Sequence, residues 1–183
     1  LRIHAGSAFD PQEKEGVMKM LSDSFFPTAD SRTFFRDELG GSFDVSCNYD
    51  YIQIDTRARS GDFLTLIETV AQAIANVAID KDSTASLKTA QLNKVEELEK
   101  DGAYVADRVI AKRLFGTFPY GRPINGSAAS LQKIDFADLK FAKNRLVTAD
   151  NATVIISGNI DPNLAFRAAR RYFGAWQKAD KHV

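Results

Sequence analysis

Apolar residues recur along this chain at two periods, and the switches between them mark out the elements. Val17, Met18, Leu21 and Phe25 fall at helical spacing and predict a helix over 15–26. Before it, residues 1–8 have the character of a strand, and Asp10-Pro11 makes a turn. Ser31 is a candidate cap for a short helix with Phe34, Phe35 and Leu39 inward, stopped by Gly40-Gly41. Residues 45–56 alternate as a strand through Val45, Cys47 and Tyr49. They resume at Ile52 and Ile54 with a slipped phase, as at a bulge.

The second half is dominated by helical spacing. Asp62 is placed to cap a helix whose stripe is Phe63, Leu66, Ile67, Val70, Ile74 and Val77. A charged helix follows over 83–99, and Gly102 breaks it from a third that runs to Phe115. Ser127 and Asp135 are candidate caps for two more, and residues 153–157 read as a short buried strand. Asp161-Pro162 opens a last helix carrying Leu164, Phe166, Ala169, Tyr172 and Phe173. The fold class expected is α+β, with a mostly antiparallel sheet and helices packed on one face.

Composition narrows the function. With 183 residues and 44% hydrophobic content, the chain has the length and apolar surface for one domain and one sizeable core. Lys plus Arg equals Asp plus Glu at 24 each, which gives no electrostatic case for nucleic acid or an anionic membrane. No apolar run approaches the ~20 residues of a membrane-spanning helix. Cys47 is the one cysteine and reads as a small buried hydrophobe.

The motifs carry a resemblance. Gly6-Ser7-Ala8-Phe9-Asp10-Pro11, followed by Gly16 and a helix, resembles the opening of the M16 (pitrilysin/insulinase-like) zinc peptidases. Residues 115–126, with Pro119-Tyr120-Gly121-Arg122-Pro123 at their centre, resemble that family's Phe-x-x-x-Pro-Tyr-Gly-x-Pro-x-x-Gly loop. Leu131, Asp138-Leu139, Asn151, Ser157-Gly158-Asn159-Ile160 and Phe173-Gly174-Ala175-Trp176 continue the same order. The resemblance therefore covers almost the whole of 1–183. It implies one M16-like domain, part of a longer two-domain chain with its first strand truncated.

The same resemblance locates a loss. Active members carry His-x-x-Glu-His in the first helix, where two His bind zinc and the Glu activates water. Here those positions hold Lys19, Ser22 and Asp23. The family's third ligand falls near Lys94, among Glu96, Glu97 and Glu99, acids that otherwise read as a solvated helix face. His4 and His182 are the two histidines and are far apart in sequence. No catalytic or metal residue is expected, and zinc belongs to a partner half or subunit. Lys19 and Asp23 at i, i+4 have the spacing of a surface ion pair. A Ser22–Lys19 nucleophilic dyad has little support.

What survives such a loss is peptide holding. Gly41, Ser42, Phe43, Asp44 and Val45 correspond to the lead-in and edge strand on which M16 peptidases pair an extended substrate, and backbone pairing needs no catalytic side chain. The competing reading is a structural Gly-Gly turn. Tyr120 and Arg122 read as structural. The favoured expectation is a non-catalytic M16 domain that lines a peptide-binding chamber with a second M16-like domain or a zinc-bearing subunit. Two alternatives remain open: an active zinc metalloendopeptidase domain with an unrecognised metal site, and an assembly module of M16 ancestry. The family's habits suggest a bacterial periplasm.

Overall fold

The computed structural model describes residues 1–27 and 29–179. Its sheet has four strands in the order β2-β3-β1-β4, with every neighbouring pair antiparallel. These are β1 (Arg2–Ile3), β2 (Ser42–Cys47), β3 (Ile52–Arg57) and β4 (Ala152–Thr153). The helices are α1 (Val17–Ser24), α2 (Ala29–Thr33), α3 (Phe63–Ala75), α4 (Lys81–Leu98), α5 (Gly102–Phe115), α6 (Ala128–Lys133), α7 (Phe136–Leu146) and α8 (Pro162–Phe173). One sheet face is apolar and covered: Ile3, Ile52 and Ile54 join Val17, Met18, Leu21, Val70, Val95, Leu139 and Leu146 in the main core. The other face is polar, where Arg2 lies over the Tyr51 ring and donates to Gln53. The alternation of apolar and polar positions along β3 causes this one-sided architecture.

Several sequence expectations are corrected. The slipped phase between Tyr49 and Ile52 is a hairpin turn, not a bulge. The Asn48 side chain accepts from the N–H groups of Asp50 and Tyr51, which reverses the chain and restarts the alternation. Ser31 lies inside α2, which runs on into a π-helical turn, Phe34–Glu38. Asp62 stands at the N-cap position of α3, as expected, but its carboxylate accepts from Arg59 rather than from the helix's N–H groups. The strand expected over 153–157 is a strand only at its first residue, and Val154 and Ile155 are exposed. Among the described residues, no strand pairs with the chain beyond Thr153. The break expected at Gly102 is present: α4 ends at Leu98, and α5 starts at Gly102 with the Asp101 carboxylate as its cap.

Candidate functional site

α1 begins at a cap supplied from six residues upstream. The Asp10 carboxylate accepts from the N–H groups of Gly16 and Met18, both at 2.8 Å. Those are orphan donors at a helix start, where a negative charge also meets the positive end of the helix dipole. Burial pushes the Asp10 pKa up to about 7, against the pull of these two N–H groups and of Arg122. Gly16 holds φ 105°, and a side chain there would run into Leu131 at 2.8 Å. Asp10 and Gly16 thus set where α1 starts and how it is phased.

That phase decides the slot. Ser22 is fully buried, and its hydroxyl donates to the carbonyl of Lys19 at 2.7 Å. Lys19 Nζ is paired with the Asp23 carboxylate on the half-exposed side of the helix. The Lys19 ammonium is therefore engaged with Asp23 while the Ser22 proton is spent on a helix carbonyl, and no Ser–Lys dyad forms. The donor set at the slot is an ammonium, a hydroxyl and one carboxylate already neutralised by the ammonium. Such a set does not fit zinc, which takes imidazole, thiolate or free carboxylate. Lys94 on α4 is exposed, whereas Gln91 and Val95 turn inward; Gln91 Nε2 donates to the Asn125 carbonyl. Glu96 pairs with Lys100 and Glu99 with Arg108. Among the described residues, no three His, Cys, Asp or Glu side chains come together as a metal-binding group. His4 is exposed, and His182 lies outside the described residues.

β2 lies beside the slot and forms one edge of the sheet. Its register against β3 pairs Ser42 with Arg57, Asp44 with Asp55 and Ser46 with Gln53. The hairpin closes with Asn48 N–H donating to Tyr51 O at 3.0 Å. Counting by twos from that bonded pair, Ser46, Asp44 and Ser42 exchange hydrogen bonds with β3. The N–H and C=O of Phe43, Val45 and Cys47 consequently point outward along the open edge. Side chains divide the other way. Phe43 packs on Phe26 and Phe35, with ring centroids 4.6 and 4.8 Å away, while Ser42, Asp44 and Ser46 face solvent. Cys47 is half-buried, and its thiol is pushed up to about 12, first by burial and then by the Asp10 charge. It is no nucleophile at neutral pH.

Gly41 has a structural reason to be glycine: a Cβ there would sit 1.9 Å from the Arg57 carbonyl oxygen. It lets the chain leave the π-helical turn and enter β2 against the end of β3. The Pro-Tyr-Gly loop fastens the other end of the hairpin. Tyr120 Oη donates to Asp50, its ring meets Tyr49, Phe115 and Phe118 edge-on, and Arg122 donates to the carbonyls of Ala8 and Asp10. The loop thus ties the β2–β3 turn to the segment that caps α1. The sequence placed these residues as structural but gave no sign of Asp10 as a cap, because the contact spans a turn.

Comparison with known proteins bears on this geometry. No protein-family profile matches the chain. It is 23% identical over 178 residues to an uncharacterized zinc protease of Mycobacterium tuberculosis, covering 94% of this chain and 41% of that protein. It superposes with TM-score 0.86 on a peptidase M16 inactive domain from Pseudomonas fluorescens, at 21% identity over the whole chain and 46% of the other. A protease from Helicobacter pylori superposes with TM-score 0.90 at 15% identity, again over 46% of its length. The chain thus spans less than half the length of the relatives it matches.

Proposed function

We propose that this chain, which has the fold of M16 peptidase domains and carries Lys19, Ser22 and Asp23 where the motif His-x-x-Glu-His is expected, is the non-catalytic half of an M16 assembly. In this reading it forms part of the wall of a peptide-binding chamber. β2 takes an extended peptide as an added strand through the outward backbone groups of Phe43, Val45 and Cys47, and a zinc-bearing M16 half or subunit supplies the hydrolysis. The observation that carries the reading is the open β2 edge beside a slot whose donors do not suit zinc. Coverage of only 41–46% of the relatives' length leaves room for a second domain of similar size.

A second surface supports the pairing. α5 has no buried residue in its fourteen, and it exposes Val109 by 61%, Ile110 by 55% and Leu114 by 71%. Phe115 and Phe118 extend the patch. Contiguous apolar surface of this kind marks a contact with another protein, and a second M16-like domain is the partner proposed for it.

The test is reconstitution. The chain and its zinc-bearing partner are assayed separately and together on an unstructured peptide. The reading expects hydrolysis to need the partner's zinc and to rise at least tenfold in kcat/KM when this chain is added. Equal activity of the partner with and without the chain would contradict it.

A further inference from the structure

The open edge of β2 begins beside an arginine that has no carboxylate partner. Arg32, in α2, and Phe35, in the π-helical turn that follows, stand three residues apart on one helical run and share a side of it. Both turn to Phe43: the Phe35 ring lies 4.8 Å from the Phe43 ring, and the Arg32 guanidinium lies 5.4 Å from its centroid. Arg32 is exposed. Among the described residues, its guanidinium forms no hydrogen bond or ion pair besides this ring contact. Two nearby acids leave it unneutralised: Asp37 pairs with Arg36, and Asp30 is two residues away, on a different side of the helix.

We propose that Arg32 makes the β2 edge selective for an acidic peptide, by pairing with an Asp or Glu side chain on the residue directly beside Phe43 in the added strand. Given β2 as the peptide edge, on which this assignment rests, the placement follows from sheet geometry. The N–H and C=O of Phe43 point outward, and in an antiparallel addition they exchange both bonds with one peptide residue. Residues paired in this way put their side chains on the same face, with Cβ atoms about 5 Å apart. Phe43 turns its ring to the covered face of the sheet, against Phe26 and Phe35. The peptide side chain beside it therefore meets that ring and comes within reach of Arg32. A carboxylate there finds a planar guanidinium with its N–H donors free, which suits bidentate pairing.

The flanking positions have the opposite preference. Peptide residues beside Ser42 and Asp44 point to the polar face, where Asp44 stands directly across from Asp55 and the two like charges repel a further acid. An acid beside Phe43 is favoured, and an acid one residue along, beside Asp44, is disfavoured. The edge thus distinguishes peptides of equal net charge by where the charge falls. A lysine or arginine beside Phe43 would meet the like charge of Arg32.

The test is fluorescence anisotropy of extended peptides on the full-length protein in its assembly, with a chelator present to stop hydrolysis. The peptides are acetylated and amidated, so that no terminal carboxylate contributes, and differ only in one central Glu, Gln or Lys. The Glu peptide should bind about fivefold more tightly than the Gln peptide, the upper end for a part-exposed ion pair. Arg32→Gln should remove that preference while the Gln peptide's Kd stays within about twofold, and Arg32→Glu should transfer the preference to the Lys peptide. Arg36→Gln, which loses only a pair with Asp37, should keep the Glu preference. Equal Kd values for the Glu and Gln peptides on the wild-type protein, or a preference that survives Arg32→Gln, would overturn the proposal. Strand addition at β2 would still stand in that case if Val45→Pro weakened both peptides. Binding that Val45→Pro leaves untouched, or no binding of any of the peptides, would instead refute strand addition, and the role of Arg32 with it.

Discussion

Replacing Val45 with proline separates peptide binding from folding. The register places the Val45 N–H on the open edge, outside the β2–β3 ladder, and proline is tolerated on an edge strand when its missing N–H faces solvent. Val45→Pro should therefore leave the hairpin paired, at a cost of about 1 kcal/mol from lost packing of a half-buried valine. A peptide added to β2 loses one hydrogen bond and is left with an unpaired carbonyl. Together these weaken binding by about 2 kcal/mol, roughly 30-fold in Kd. Asp44→Pro is the control, because Asp44 bonds to Asp55 across the ladder. It should disrupt the hairpin itself and lower Tm sharply. The assay is fluorescence anisotropy of a labelled extended peptide on the assembled protein, with circular dichroism to confirm folding. Folded Val45→Pro protein that binds the peptide as tightly as wild type would refute strand addition at β2.

Other consequences concern α1 and the partner surface. Asp10→Ala strips the buried N–H groups of Gly16 and Met18 of their acceptor and should cost about 2–4 kcal/mol in urea unfolding, with Asp10→Asn costing less. The Asp10 pKa is raised on folding, from the ordinary carboxylate value to about 7. Its contribution to stability is therefore fully present below about pH 4 and lost as pH rises through 7. Asp10→Asn should flatten that part of the pH–stability profile measured by thermal melts. Leu114→Glu with Val109→Lys should weaken association with a zinc-bearing half at least tenfold by sedimentation while leaving Tm within a few degrees, since both side chains are exposed. Lys19→Ala should change stability by under about 1 kcal/mol, as expected for a half-exposed i, i+4 pair.

Much of the fold was legible where a short-range signal had one interpretation. Ser127, Asp135 and Asp161 were read as caps, and each side chain accepts from the N–H groups of its helix. The helical stripe through Phe63, Ile67, Val70 and Ile74 is the buried face of α3. Reading failed where the decisive partner was distant or ambiguous. The charged helix expected over 83–99 is α4, which starts two residues earlier at Lys81, because Asp80 and Ser83 form a reciprocal capping box. Val154 to Ile156 has the composition of a buried strand, yet composition says nothing about whether a neighbouring strand is present. At the site, the altered motif positions were visible in sequence. The engagement of Lys19 with Asp23, the burial of Ser22 and the direction of the Phe43, Val45 and Cys47 backbone required the phase of α1 and the register of the hairpin.

Zinc content tests the central claim most directly. The purified 183-residue chain is dialysed against zinc, then against buffer, and analysed for metal. A slot holding Lys19, Ser22 and Asp23 predicts less than about a tenth of an equivalent per chain. Retention of about one equivalent, with peptide hydrolysis by the chain alone, would contradict the account.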